Sequence, residues 1–172
     1  MILKLGSGID LFVYPGEYEF ADAQFRIRTT LGSCIAITMW HPGRQLGGMC
    51  HYMLPRRSTG RHAQLDGKYA DEAIVLLEKE ARRHGTSLDE YEIKLFGGGN
   101  MFPGRYGSDD SVAQRNIRMA YELMRRFRLN VKAESLGGVG YRSVIFEIAT
   151  GAVWVRHVVH GPALQHHATG GQ

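Results

Sequence analysis

Two short apolar runs on either side of a turn constrain this chain more than any other feature. CIAITMW (34–40) is apolar and carries β-branched residues, and LGGMCHYML (46–54) follows it after the turn residues HPGR (41–44). Apolar runs of that length, bounded by turn chemistry, read as buried strands. Joined by so short a link they read as a hairpin, stopped at its far end by Pro55. Folding the hairpin symmetrically about Pro42-Gly43 sets Cys34 opposite His51, Ile35 opposite Cys50 and Ala36 opposite Met49. Directly opposed residues share a face of the sheet with Cβ atoms ~5 Å apart. A bulge at Gly47-Gly48 is the alternative register, and a one-residue slip would send every side chain to the other face.

The remaining elements fall around this hairpin. Residues 11–31 are β-rich with a turn at Pro15-Gly16; 91–100 reads as a strand ending in glycines, and 131–135 as another. YRSVIFEIATGAVWVRHVV (141–159) reads as a hairpin turning at Ala149-Thr150-Gly151. A helix capped by Asp66 and running to about His84 would bury Ala70, Ala73, Ile74, Leu77 and Ala81, with Gly85 closing it. A second, capped by Ser108 or Asp109 and running to about Arg128, would bury Val112, Ile117, Ala120, Leu123, Met124 and Phe127. Strands and helices mix along the chain, so the expected class is α/β or α+β: a layered sandwich of mixed β-sheet with helices packed on it. One domain is expected over 1–159, with a mobile loop at 56–65 and a disordered tail at 160–172.

Composition narrows the setting. No apolar run approaches the ~20 residues of a membrane span, and the N-terminus lacks a signal-peptide pattern, so a cytoplasmic protein without membrane insertion is expected. Two cysteines make no disulfide scaffold, and in a reducing compartment both stay free thiols. The net charge of +4 gathers at Arg56, Arg57 and Arg61, at Arg82 and Arg83, and at Arg125, Arg126 and Arg128. These clusters are either solvated faces or a surface that draws in an acidic partner. No nucleic-acid module, zinc motif, P-loop or GxGxxG is present, so neither nucleic acid nor a metal or other cofactor is expected. His160, His166 and His167 lie in the tail, where fraying is expected in place of metal binding.

The chemistry-bearing candidates are Cys34 and His51. An imidazole beside a thiol can take its proton, hold the thiolate as an ion pair and return the proton to a leaving group. The turn ahead of Cys34 supplies Gly32 and Ser33, whose small side chains admit a substrate carbonyl and whose backbone amides could form an oxyanion hole. The plain alternative is a packing thiol and a structural imidazole. Cys50 adjoins His51 and so points to the opposite face, where packing is its expected role. GGGN (97–100) and GGVG (137–140) are either tight turns or amide donors lining the cleft near Cys34.

At LGSC (31–34), GGMCHYMLP (47–55), GKYADEAI (67–74), KLFGGGNMF (94–102), QRN (114–116) and ESLGGVGYRSVIFEIATGAVWV (134–155) the sequence resembles the CheD family of chemoreceptor glutamine deamidases. The stretches occur in family order over most of 11–158. The resemblance implies a layered α/β sandwich with a Cys-His site. It implies deamidation of selected glutamines on the cytoplasmic helices of methyl-accepting chemoreceptors, hydrolysis of glutamyl methyl esters in some members, and a CheC-type phosphatase as a partner in some. It assigns Cys34 as nucleophile and His51 as base. The family's third site residue is a Thr that often lies six positions before the Cys; here that position is Arg28, and Thr29 is the substitute expected, ahead of Thr30. The competing functions are a non-catalytic adaptor for chemoreceptors or a CheC-type phosphatase, and a different thiol enzyme such as a protease or transglutaminase.

Overall fold

The computed structural model describes residues 8–58, 64–104 and 110–159. Its strands are β1 (Ile9–Phe12), β2 (Tyr18–Asp22), β3 (Phe25–Leu31), β4 (Ile35–His41), β5 (Leu46–Tyr52), β6 (Glu92–Gly97), β7 (Val131–Leu136), β8 (Tyr141–Glu147) and β9 (Val153–Val158). The helices are α1 (Ala70–Arg83) and α2 (Val112–Arg126). The strands form a four-stranded sheet, β1-β3-β8-β9, and a five-stranded sheet, β2-β5-β4-β6-β7. Both sheets are mixed, since β1 runs parallel to β3 and β6 parallel to β7 while the other pairs are antiparallel. This is the layered mixed-sheet sandwich expected from the sequence.

Two cores hold the layers together. One lies between the helices and the five-stranded sheet and unites Ile35, Ile37, Cys50 and Tyr52 with Ile74, Leu77, Leu123 and Met124. The other lies between the sheets and joins Ile27 and Leu31 with Ala36, Met49, Phe96, Val144 and Phe146. β4 and β5 thus bury both faces, which is why their sequences are apolar throughout instead of alternating.

α1 buries the five residues its periodicity predicts. Burying each of Ile74 and Leu77 contributes about 1.5–3 kcal/mol. Gly85 follows at φ 71, the left-handed conformation that closes a helix. Asp66 does not cap it. The N-cap is Tyr69, without a side-chain cap, and Asp66 instead accepts from the Lys68 N–H at 2.9 Å in the turn ahead. In α2 the cap is Ser111, whose hydroxyl accepts from the Gln114 N–H; Ser108 and Asp109 lie outside the described residues. Its buried side is Ala113, Asn116, Met119, Ala120, Leu123 and Met124, with Val112, Ile117 and Phe127 only half-buried, a rotation from the expected stripe that puts an asparagine in the core. Among the described residues no helix is long and apolar enough to cross a membrane. The tail at 160–172 and part of the expected mobile loop, 59–63, lie outside the described residues.

The central hairpin departs from the expected register. Ala36, not Cys34, faces His51, and Ile37, not Ile35, faces Cys50. His41 and Leu46 form the closing pair, so the turn spans four residues; Gln45 takes a left-handed φ of 48, and the N–H groups of Arg44 and Gln45 both donate to the His41 carbonyl. The ladder runs through Gly47-Gly48 without a bulge. A shift of two residues preserves side-chain parity. Cys34 accordingly stays on the inter-sheet side, packed with the cluster that holds Ala36 and Met49, while Cys50 lies in the helix-side core.

Candidate active site

Cys34 ends the three-residue link between β3 and β4, where the chain crosses from one sheet to the other. The thiol is half-buried. Burial pushes its pKa up, opposed by its own backbone N–H and by the Ser33 side chain.

His51 sits near the end of β5 and is 1% exposed. Its Nδ1 lies 2.8 Å from the Thr29 hydroxyl on β3, so this contact bridges the two sheets. The same hydroxyl donates to the Val13 carbonyl at 2.7 Å. A hydroxyl has one proton, and a carbonyl can only accept. Thr29 therefore accepts from Nδ1–H, and the lone pair of the neutral imidazole falls on Nε2. That Nε2 is buried and has no hydrogen-bond partner among the described residues. Burial also lowers the His51 pKa to about 4, partly countered by the Val13 carbonyl and the charge of Glu17.

Of the three positions weighed for the third residue, Thr29 is the one that reaches the imidazole. Arg28 turns to Asp10 in an exposed ion pair at 2.8 Å, and Thr30 is exposed. No hydrogen bond joins the Cys34 thiol to His51. Catalytic contacts are often loose in empty sites and tighten when substrate binds. Burial raises the thiol pKa and lowers that of the imidazole, and each shift favours the neutral form of its group. Cys50 is fully buried, and its thiol is pushed up to about 12 by burial, which leaves it unreactive.

The loop under Cys34 is fixed by its carbonyls. The Gly99 N–H donates to the Gly32 carbonyl and the Gly98 N–H to the Cys34 carbonyl, each at 2.8 Å. The Asn116 side-chain amide donates to the Ser33 carbonyl at 3.0 Å. The amides of Gly98 and Gly99 are thus engaged with the loop and do not line the cleft as donors. Glycine is required here: a Cβ on Gly97, at φ 115, would fall 2.1 Å from the Cys34 carbonyl oxygen, and one on Gly99 would fall 2.0 Å from that of Gly140. The second glycine stretch backs the first, since the Gly137 N–H donates to the Gly97 carbonyl and the Gly140 N–H to that of Asn100. Buried Arg142 ties the same turns, donating to the Gly137 carbonyl at 2.7 Å and to Ser135 Oγ at 2.9 Å.

Sequence reading missed Asn116 and Arg142. Arg142 stood in an alternating strand where a charge reads as outward-facing. Asn116 lies in a helix whose buried stripe the sequence marks by apolar residues alone.

Ser33 opens onto a cleft of about 540 Å³ lined also by Gly99, Asn100, Met101, Phe102, Ser111 and Arg115. A cleft of about 760 Å³ lined by Glu17, Arg57 and Asp66 includes none of Thr29, Cys34 and His51. Among the described residues no three His, Cys, Asp or Glu side chains gather as a metal site would need.

The sandwich thus carries a half-buried thiol where the chain crosses from one sheet to the other, and on the same inter-sheet side an imidazole whose Nδ1 is tied to a hydroxyl. Comparison with known proteins gives the family. Residues 53–157 match the family model described as CheD chemotactic sensory transduction. A "Probable chemoreceptor glutamine deamidase CheD" of Pseudomonas fluorescens is 49% identical over 150 residues, covering 86% of this chain and 84% of the relative. Similarly named proteins of Chromobacterium violaceum and Leptospira interrogans are 42% identical over 151 residues (87% and 78% covered) and 36% over 168 residues (93% and 99% covered). The chain belongs to the CheD family. The matched span begins two residues after His51, so the roles of Thr29, Cys34 and His51 rest on geometry and on the resemblance of LGSC and GGMCHYMLP.

Proposed function

We propose that this chain deamidates glutamine side chains of chemoreceptors to glutamate, with Cys34 as nucleophile, His51 as base and Thr29 as the residue that orients His51. The observation that carries the reading is the imidazole itself: Nδ1 is committed to Thr29, and Nε2 is buried, lone-paired and unengaged. A neutral base held at pKa about 4 takes a proton at the moment of reaction without being protonated beforehand at neutral pH.

The Cys34 sulfur attacks the carboxamide carbon. An S–C bond forms, the C=O π pair moves to oxygen, and the thiol proton passes to Nε2. The backbone N–H groups of Ser33 and Cys34 face the oxyanion. The C–N bond then breaks, its nitrogen takes the proton from Nε2, and ammonia leaves. Water attacks the thioester and gives a proton to Nε2; the C–S bond breaks as the sulfur takes that proton back, and the glutamic acid formed releases its own proton to solvent and departs as the carboxylate. The same sequence on a glutamyl methyl ester would release methanol.

The names of the relatives support a chemoreceptor as the substrate. The resemblance adds that the glutamines lie on the cytoplasmic helices of methyl-accepting receptors, with the protein working in the cytoplasm, and that some family members also bind a CheC-type phosphatase. The test is mass spectrometry of a receptor cytoplasmic fragment after incubation with the wild type and with Cys34→Ala. A +1 Da change at defined glutamines with the wild type only is expected, ~1 Da being the difference between an amide and an acid. Equal deamidation by Cys34→Ala would remove the enzyme reading and leave an adaptor.

A further inference from the structure

Asn116 is fully buried on α2, against the chain just before β4 and the end of β5. Its side-chain nitrogen donates to the Ser33 carbonyl at 3.0 Å and to the Met53 carbonyl at 2.9 Å. Its own carbonyl accepts from the Tyr52 hydroxyl at 2.7 Å. One side chain therefore grips the residue before the nucleophile and the residue two beyond the imidazole. The orientation of the amide is fixed by chemistry, because only the NH₂ end can face two carbonyls. The opposite end, Oδ1, is buried and has no partner. A buried unpaired acceptor opposes folding, so this amide is not explained by stability alone.

The Ser33 carbonyl belongs to the same peptide as the Cys34 N–H. A peptide is planar and trans, so its N–H points opposite to its C=O. With the carbonyl held against α2 by Asn116, the Cys34 N–H points away from the helix. The neighbouring peptide is held in the same manner: Gly99 binds the Gly32 carbonyl, which directs the Ser33 N–H. No backbone carbonyl among the described residues accepts from the N–H of Ser33 or of Cys34.

We infer that Asn116 is the positioning residue of the oxyanion hole: by holding the Ser33 carbonyl from behind, it aims the Cys34 N–H at the oxygen of the substrate amide as that oxygen becomes negative. A hydrogen bond to the carbonyl end of a peptide also polarises its N–H, strengthening the donor on the other side. The inference rests on the deamidase reading above.

Two reactions of Cys34 separate this role from simple support of the loop. Deamidation develops negative charge on a carbonyl oxygen; alkylation by iodoacetamide displaces iodide from carbon and develops none there. Both need the thiol and its base. In Asn116→Ala and Asn116→Asp, kcat on the receptor fragment is expected to fall about 10–100-fold, below the full loss of a direct oxyanion donor, with KM nearly unchanged. The alkylation rate at Cys34, read by mass spectrometry, is expected to stay within about twofold of wild type. A kcat that survives both substitutions overturns the inference, and so does alkylation falling in step with kcat.

If neither variant melts cooperatively, the wild type decides. An aldehyde analogue of the glutamine side chain adds to Cys34 as a thiohemiacetal: the S–C bond forms, and the aldehyde oxygen takes the thiol proton. In the structure of that adduct the oxygen should lie within hydrogen-bond reach of the Cys34 N–H, with Asn116 still on the Ser33 carbonyl. An oxygen turned elsewhere refutes the role. A wild type inert on receptor fragments but modified by the aldehyde would remove the deamidase reading and leave the adduct geometry to decide on Asn116.

Discussion

Replacing Thr29 with valine removes one oxygen from the middle of the sandwich and changes little else in shape. Two buried groups then lose their partner: the Val13 carbonyl, 2.7 Å from the hydroxyl, and His51 Nδ1–H, 2.8 Å from it. An unpaired buried polar group costs about 1–3 kcal/mol. Taking the lower half of that range for each, because both groups can relax, gives a loss of roughly 2–4 kcal/mol. In a chain of this length that corresponds to a fall in Tm of about 4–16 °C. The catalytic effect comes from the tautomer. Without an acceptor at Nδ1 the proton can move to Nε2, where it blocks the lone pair that would take the thiol proton. An aspartate triad with the wrong tautomer loses about 10⁴ in rate. A neutral hydroxyl holds the ring less strongly, so kcat should drop roughly 10–100-fold, with KM nearly unchanged. Thr29→Ser keeps the hydroxyl and should recover most of both losses. The assay pairs a thermal melt with deamidation of a receptor fragment followed by mass spectrometry. Full kcat in Thr29→Val, or a serine variant no better than valine, would refute the role assigned to this hydroxyl.

Other changes read other links. Cys34→Ala and His51→Ala should each abolish deamidation, and the double variant should be little worse than either, since residues that act as one unit are strongly non-additive; Cys50→Ala should cost stability alone, and additive losses or a dead Cys50→Ala would contradict the assignment. His51 is held at about 4 in the fold, below its ordinary 6.5, so the unfolded chain binds a proton that the folded one refuses in that window. Stability should therefore fall as pH drops from about 6.5 to 4, by up to roughly 3 kcal/mol, and His51→Gln should flatten that slope; an equal slope in the variant would locate the dependence elsewhere. Gly97→Ala places a Cβ 2.1 Å from the Cys34 carbonyl oxygen and should lower Tm and kcat together, whereas Gly85→Ala, with open space around it, should lower Tm modestly and leave kcat alone.

Much of this was legible in the chain because local rules and tertiary demands agree. The α1 stripe could be read residue by residue, since a helix on a sheet buries one face and no polar residue interrupts it. The hairpin was legible as an element but not in register. Nothing in HPGRQL announces that Gln45 takes a left-handed conformation and lengthens the turn. Parity survived the two-residue shift, which is why Cys34 and His51 still share the inter-sheet side despite a wrong pairing. Thr29 was reachable only through the resemblance, because a hydroxyl that bridges two sheets leaves no trace in the periodicity of either strand. Asn116 was hidden by its type. In a helix an asparagine reads as solvent-facing, and its partners, Ser33 and Met53, lie 83 and 63 residues away.

The order in which the chain leaves the ribosome bears on when the thiol becomes dangerous. Thr29 lies on β3, whose antiparallel neighbour is β8, with Thr29 paired to Val144. Cys34 and His51 are synthesised early, but the strand that holds Thr29 in place appears only after most of the chain has been made. Pairings of such long sequence separation form late, because loop closure must precede the contacts that reward it. Until β8 docks, Thr29 lacks the strand neighbour that holds it and the imidazole lacks a fixed acceptor for Nδ1. On the proposed reading, a nascent chain therefore carries its thiol for most of its synthesis without the oriented imidazole that would activate it.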